Sequence, residues 1–259
     1  MGGPLDGSGQ PPALTDMREA DSAGGGRFPA TRLSLVVSLR SDSGAERRRA
    51  GERLVALYWK PLYKYVRLRW SRSREDAEDL VQGFLAFALE KETLAAFDPE
   101  RAGLRTFLRL LVDRYASNER RAAGRLKRGG SAVALDFDAA EAELARVPSG
   151  SPDPEELLRR EWVRALFAEC VARLREELDA GGRGLQLRAF EAMDLEDGDA
   201  RPSYRELAAR LGVSETKVTN DLSAARRRFR VLVLETLREV TASEEEFRAE
   251  ARAVLGRDP

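Results

Sequence analysis

Residues 204–223 read YRELAARLGVSETKVTNDLS. Their spacing predicts a helix, a turn at Gly212, and a second helix capped by Ser214. Ala208 is small where two such helices would cross, and Gly212 supplies the positive φ that a tight turn requires. Leu207, Leu211, Val213, Val218 and Leu222 make the shared apolar seam. The second helix is then expected to present Thr216, Lys217, Thr219, Asn220 and Ser223 outward. Those are short polar groups able to reach base edges in a major groove, with Arg226, Arg227, Arg228 and Arg230 placed further on for phosphates. An ordinary helical hairpin with a solvated polar face would carry much of the same pattern.

Working outward, the apolar residues keep helical spacing along most of the chain. Asp153-Pro154-Glu155-Glu156 is a helix start, with a cap, Pro at the first helical position and acids on the positive end of the dipole. That helix is expected to reach about Leu178, and Gly181, Gly182 and Gly184 to end it. Upstream, a long helix holds Leu54, Leu57, Tyr58, Leu62, Tyr65 and Leu68. The next begins at Ser73 and buries Ala77, Leu80, Val81, Phe84, Leu85 and Ala88. A further stripe of Leu104, Phe107, Leu108, Leu111 and Tyr115 follows the Asp98-Pro99 loop. The expected fold is all-α, as two small helical domains. Their expected bounds are 30–128 and 154–240, with a flexible linker over 129–153, a disordered Gly- and Pro-rich tail over 1–29 and an extension over 241–259.

Composition narrows the chemistry. The 259 residues hold 44 Lys and Arg against 44 Asp and Glu, no His and one Cys. Imidazole-based catalysis, His-ligated zinc and an internal disulfide are thereby excluded. No catalytic residue, metal or cofactor is assigned, and the absence of a long apolar run or signal peptide points to a cytoplasmic protein with no membrane span.

The zero net charge conceals a pattern. Residues 101–128 carry nine basic side chains against two acids, whereas 136–161 hold eight acids against three arginines. The first stretch reads as a nucleic-acid footprint. Phe97 and Phe107 beside Arg101, Arg105 and Arg109 suit stacking on unpaired bases, although Phe107 also fits the apolar stripe. Residues 75–82 (EDAEDLVQ) place Glu75, Glu78 or Asp79, and Gln82 on one helical face. That acidic ridge could receive a basic partner or simply be solvated.

With residues 63–69 (YKYVRLR), 98–101 (DPER) and 105–108 (RTFL), these stretches resemble a bacterial RNA polymerase sigma factor. The resemblance is to the sigma-70 family, extracytoplasmic-function (ECF) subfamily, from about Phe28 to Val240. It implies a dissociable, non-enzymatic promoter-specificity subunit of a sigma region 2-like and a sigma region 4-like domain. Asp76, Asp79, Leu80 and Gln82 would dock on the β′ clamp of core polymerase. The loop from Thr93 to Gly103 and the helix after it would capture the melted −10 strand, with Phe97, Arg101, Arg105, Phe107 and Arg109. Thr216, Lys217, Thr219, Asn220, Ser223, Arg226 and Arg227 would read −35 duplex DNA while that domain holds the β flap. The resemblance leaves an anti-sigma factor or a protein kinase open as a controlling partner.

Two departures from the family pattern stand out. Gly83 replaces the usual acid at a helix-interior cost of about 1 kcal/mol, and Asp221 is expected to repel a nearby phosphate. The other readings are a stand-alone two-domain helix-turn-helix regulator, and a carboxylate-dependent nuclease using Asp76, Glu78 and Asp79.

Overall fold

The computed structural model describes residues 34–90, 93–94, 96–121, 135–147, 153–196, 201–241 and 243–256. The expected tail over 1–29 and the basic residues Arg125, Lys127 and Arg128 lie outside these. Every regular element among the described residues is helical. In chain order they are α1 (Ser34–Leu39), α2 (Gly44–Arg69), α3 (Arg74–Ala88), α4 (Leu104–Arg121) and α5 (Phe137–Leu144). Then come α6 (Pro154–Ala180), α7 (Gly184–Phe190, running into the π turn Glu191–Leu195), α8 (Tyr204–Leu211), α9 (Glu215–Val240) and α10 (Glu244–Leu255). No described helix is long and apolar enough to cross a membrane.

The helix α2 organises the rest. From Pro61 to Val66 six consecutive side chains are buried, which a helix achieves only when neighbours cover it on every side. Those neighbours are α1, α3, α5 and α6, with α6 making the most extensive contact. One apolar core therefore runs through the helices, and Thr31–Pro259 form a single compact unit. The expected separation into two domains is not seen.

Charge explains why. Burial all round α2 forces Lys64 inside, where its side chain is 0% exposed, and a buried ammonium needs counter-charges. Glu161 of α6 lies 2.6 Å from it and Glu143 of α5 lies 2.7 Å from it. The segment expected as a flexible linker thus contains α5, capped by Asp136, which accepts from the Ala139 amide. Phe137 packs between the rings of Trp59 and Tyr63, with centroids 5.4 and 5.0 Å away. Glu141 accepts from the Tyr63 hydroxyl and from Arg67, each at 2.6 Å. Three acids of the 136–161 stretch, Glu141, Glu143 and Glu161, are therefore consumed against α2, and these pairs tie α5 and α6 to it.

Candidate functional site

The stretch around Gly212 forms the expected local geometry. Ser203 and Glu206 make a reciprocal capping box at the start of α8, satisfying two backbone donors. Gly212 ends α8 in the left-handed region at φ 68°. The Val213 amide then donates back to the Ala208 carbonyl at 3.0 Å, and the Ser214 side chain accepts from the Lys217 amide to open α9. Leu207, Ala208, Val218 and Leu222 are buried between the helices.

Opposite that seam Thr216, Lys217, Thr219, Asn220 and Arg227 are exposed, while Ser223 is half-buried. Two residues behave otherwise than expected. Asp221 is 5% exposed and turned inward. It accepts from Lys217 Nζ at 2.7 Å and from Gln186 at 3.4 Å, so it does not face incoming phosphate but holds the charge of Lys217. Arg226 makes a two-pronged pair with Asp194, at 2.7 and 2.8 Å, and its side chain is 19% exposed. It clamps the π turn to α9 and is not presented to DNA.

The acidic ridge lies on α3. Glu75, Asp76, Asp79 and Gln82 are exposed along one face, and Glu78 accepts from Arg74 at 2.6 Å. Leu80, expected among the docking residues, is 1% exposed and belongs to the core stripe. Glu119, from α4, joins the ridge. Desolvation, and to a lesser degree the charges of Asp79 and Asp76, push its carboxyl above the ordinary value despite Arg72. Gly83 has a packing reason. A Cβ there would stand 2.6 Å from the Tyr115 hydroxyl, so glycine lets α3 receive the ring that packs on Phe84 and Phe87. Among the described residues no three acidic or thiol side chains converge as a metal-ligand set, and the ridge residues Asp76, Glu78 and Asp79 follow that pattern.

The basic and aromatic group is the most altered. Phe97 is 3% exposed, stands edge-on to the half-buried Phe107 at 5.1 Å, and has its carbonyl bound by Arg40. It shapes the loop from beneath and cannot stack on a base. Arg101 is open, with a side chain 87% exposed beside Asp98. Arg105 is not: its guanidinium lies 4.7 Å from the Trp162 ring centroid and pairs with Glu250 at 2.5 Å. Arg109 pairs with Glu155 at 3.1 Å and more loosely with Asp113. Asp113 also accepts from Tyr65 and from the Trp70 ring N–H, each at 3.0 Å.

Sequence reasoning does not single out Trp162, Glu119, Glu246 or Glu250. For the last two a signal exists: acids four apart beside Phe247 and Ala251 make one helix face. The chain matches no family model, no curated protein and no solved structure.

Proposed function

We propose that the chain is a promoter-specificity subunit of the sigma-70 family, ECF subfamily, which binds core RNA polymerase and directs it to promoter DNA. The observation that carries this reading is the helix-turn-helix of α8 and α9 with its outward row Thr216, Lys217, Thr219, Asn220 and Arg227. The exposed ridge of Asp76, Asp79 and Gln82 supports it as an acidic surface suited to a basic coiled coil on the polymerase clamp.

The work is binding, with no catalytic step of its own. Asn220 offers a donor and acceptor pair to base edges, Thr219, whose hydroxyl donates to the Glu215 carbonyl, offers an acceptor, and Arg227 offers charge to the backbone. Arg101, and Arg105 once released, would hold the phosphates of the melted strand while Phe107 offers a ring edge. Leu80, Phe97 and Arg226 hold those surfaces in place from within. Control would fall to an anti-sigma factor or a protein kinase.

The experiment is copurification with purified core polymerase. The wild-type chain should bind, and Asp76→Lys with Asp79→Lys should abolish binding while the variant stays folded by circular dichroism. Failure of the wild-type chain to bind core rejects the proposal. The pairing of Arg105 and Arg109 favours one other reading, a stand-alone helix-turn-helix regulator, since it leaves α9 as the more accessible DNA surface. That reading predicts tight, Asn220-dependent binding to duplex DNA with no polymerase present.

A further inference from the structure

The helix α10 stands on the surface assigned above to single-stranded DNA. Ser243 caps it, accepting from the Glu246 amide at 3.0 Å, and Phe247 and Ala251 bury its apolar side. Arg238 lies over the Phe247 ring at 4.4 Å. The spacing of four between Glu246 and Glu250 then aims two carboxylates at one place. Glu250 takes Arg105, whose side chain is left 23% exposed. The Glu246 carboxylate fills the space above Gly103 so closely that a Cβ there would overlap it. Glu155 of α6 completes the row by pairing with Arg109.

Three carboxylates therefore meet the chain at residues 103, 105 and 109, along the loop and first turns of α4. A phosphate backbone tracking this surface would need the same guanidinium donors. Both occupants cannot be seated at once, because an arginine that donates to Glu250 has its fork turned from solvent and stacked on Trp162. The neighbouring Arg101, in contrast, is open. Occlusion of Arg105 thus follows α10, whereas Arg109 is held separately by Glu155 of α6.

We infer that α10 is an autoinhibitory strap whose Glu246 and Glu250 stand in for DNA phosphates, so that single-stranded DNA and α10 compete for Gly103 and Arg105. The inference rests on the sigma reading for the identity of the competing strand. In this state the helix-turn-helix face and the α3 ridge stay exposed, so the strap withholds strand capture and leaves the other two contacts available. Displacement is feasible because only Phe247 and Ala251 of the strap are fully buried, Val254 and Leu255 are partly covered, and the Arg105–Glu250 pair is partly hydrated.

The test uses the full-length chain and a fluorescein-labelled 15-nucleotide single strand of random sequence, read by anisotropy. Glu246→Gln with Glu250→Gln keeps Phe247 and Ala251 in place and should tighten binding about fivefold or more. Hydrogen exchange in the wild-type chain should rise across 244–255 and fall across 101–109 when the strand is added. Unchanged or weaker binding by the double variant, no binding by either protein, or α10 amides still protected in the bound state would each overturn the inference. Core polymerase binding, measured in parallel, separates the two failures. A chain that binds core but shows none of these changes loses only the strap, whereas one that never binds core loses the sigma reading itself.

Discussion

Replacing Lys64 with Met tests whether α2 and α6 are one unit. The Lys64 ammonium is fully buried between Glu161, whose side chain is 1% exposed, and Glu143, at 37%. Removing it leaves the Glu161 carboxylate in the core with one other partner, Arg164 at 2.5 Å, whose side chain is 59% exposed. Breaking a buried pair from one side costs about 3–5 kcal/mol. The surviving Arg164 contact places the expected loss near the lower end, about 3 kcal/mol, or roughly 6–12 °C in melting temperature for a chain of this size. Lys64→Met with Glu161→Met removes both charges and should recover to within about 1 kcal/mol of wild type, because two apolar side chains of similar volume need no desolvation. Arg164 loses little in the process, being largely hydrated. Urea denaturation followed by far-UV circular dichroism gives all three values. A loss below about 1 kcal/mol for Lys64→Met, or a double variant as unstable as the single one, would refute the reasoning. So would two separated transitions in the wild-type chain, since the shared core predicts one.

Three further outcomes follow from particular contacts. In a Tyr115→Phe background the oxygen beside Gly83 is gone and the nearest ring atom is 3.6 Å from where an alanine Cβ would stand, so Gly83→Ala should there stabilise by about 0.5–1 kcal/mol; in the wild-type background thermal melting should show a smaller gain or a loss, and equal effects in both would contradict the packing role of Gly83. The Cys170 thiol is buried against Thr236 and burial pushes it up to about 11, so iodoacetamide at pH 8 should label it only after denaturation; rapid native labelling would show an open site. Arg67 and Arg228 hold Glu141 and Glu177 below the ordinary carboxylate value by hydrogen bonds. Their contribution is present above the unfolded value of about 4.3 and is lost as pH falls through the depressed one. Glu239, which burial pushes up, titrates earlier and in the opposite sense. The urea midpoint should accordingly hold between about pH 7 and 5 and drop below about pH 4, and a steady decline from neutrality would contradict this.

Local signals in the sequence place the helix ends well, because capping chemistry is local. Ser73, Asp153 and Ser214 each open a helix where their side chains satisfy backbone donors, and Gly212 ends one by its left-handed backbone. The apolar seam between α8 and α9 is legible for the same reason. Long-range pairing is not. Arg226 and Arg227 are neighbours of one type, yet Asp194, 32 residues away, takes the first and leaves the second to solvent. Leu80 fits an interface and a core equally well by residue type, and only the packing of α3 on α2 separates them. Phe97 and Arg105 likewise read as a ready single-strand surface until Phe107, Trp162 and Glu250 are brought against them. The α5 helix is hidden because Pro- and Gly-rich flanks frame it as a linker, while its partners Lys60, Tyr63, Lys64 and Arg67 lie far upstream, as in the 78-residue separation of Tyr63 and Glu141. The acidic stretch over 136–161 is visible as a charge block; that Glu141, Glu143 and Glu161 of it are spent on α2 is not.

The central claim is tested most directly by transcription in vitro with purified core RNA polymerase, this chain, and a library of genomic promoter fragments. A sigma subunit should give run-off transcripts from a defined subset of fragments, lost with Asp76→Lys and Asp79→Lys on the α3 ridge and redistributed among promoters by Asn220→Ala. No transcript above that of core enzyme alone, from any fragment, together with no binding to core, would contradict it.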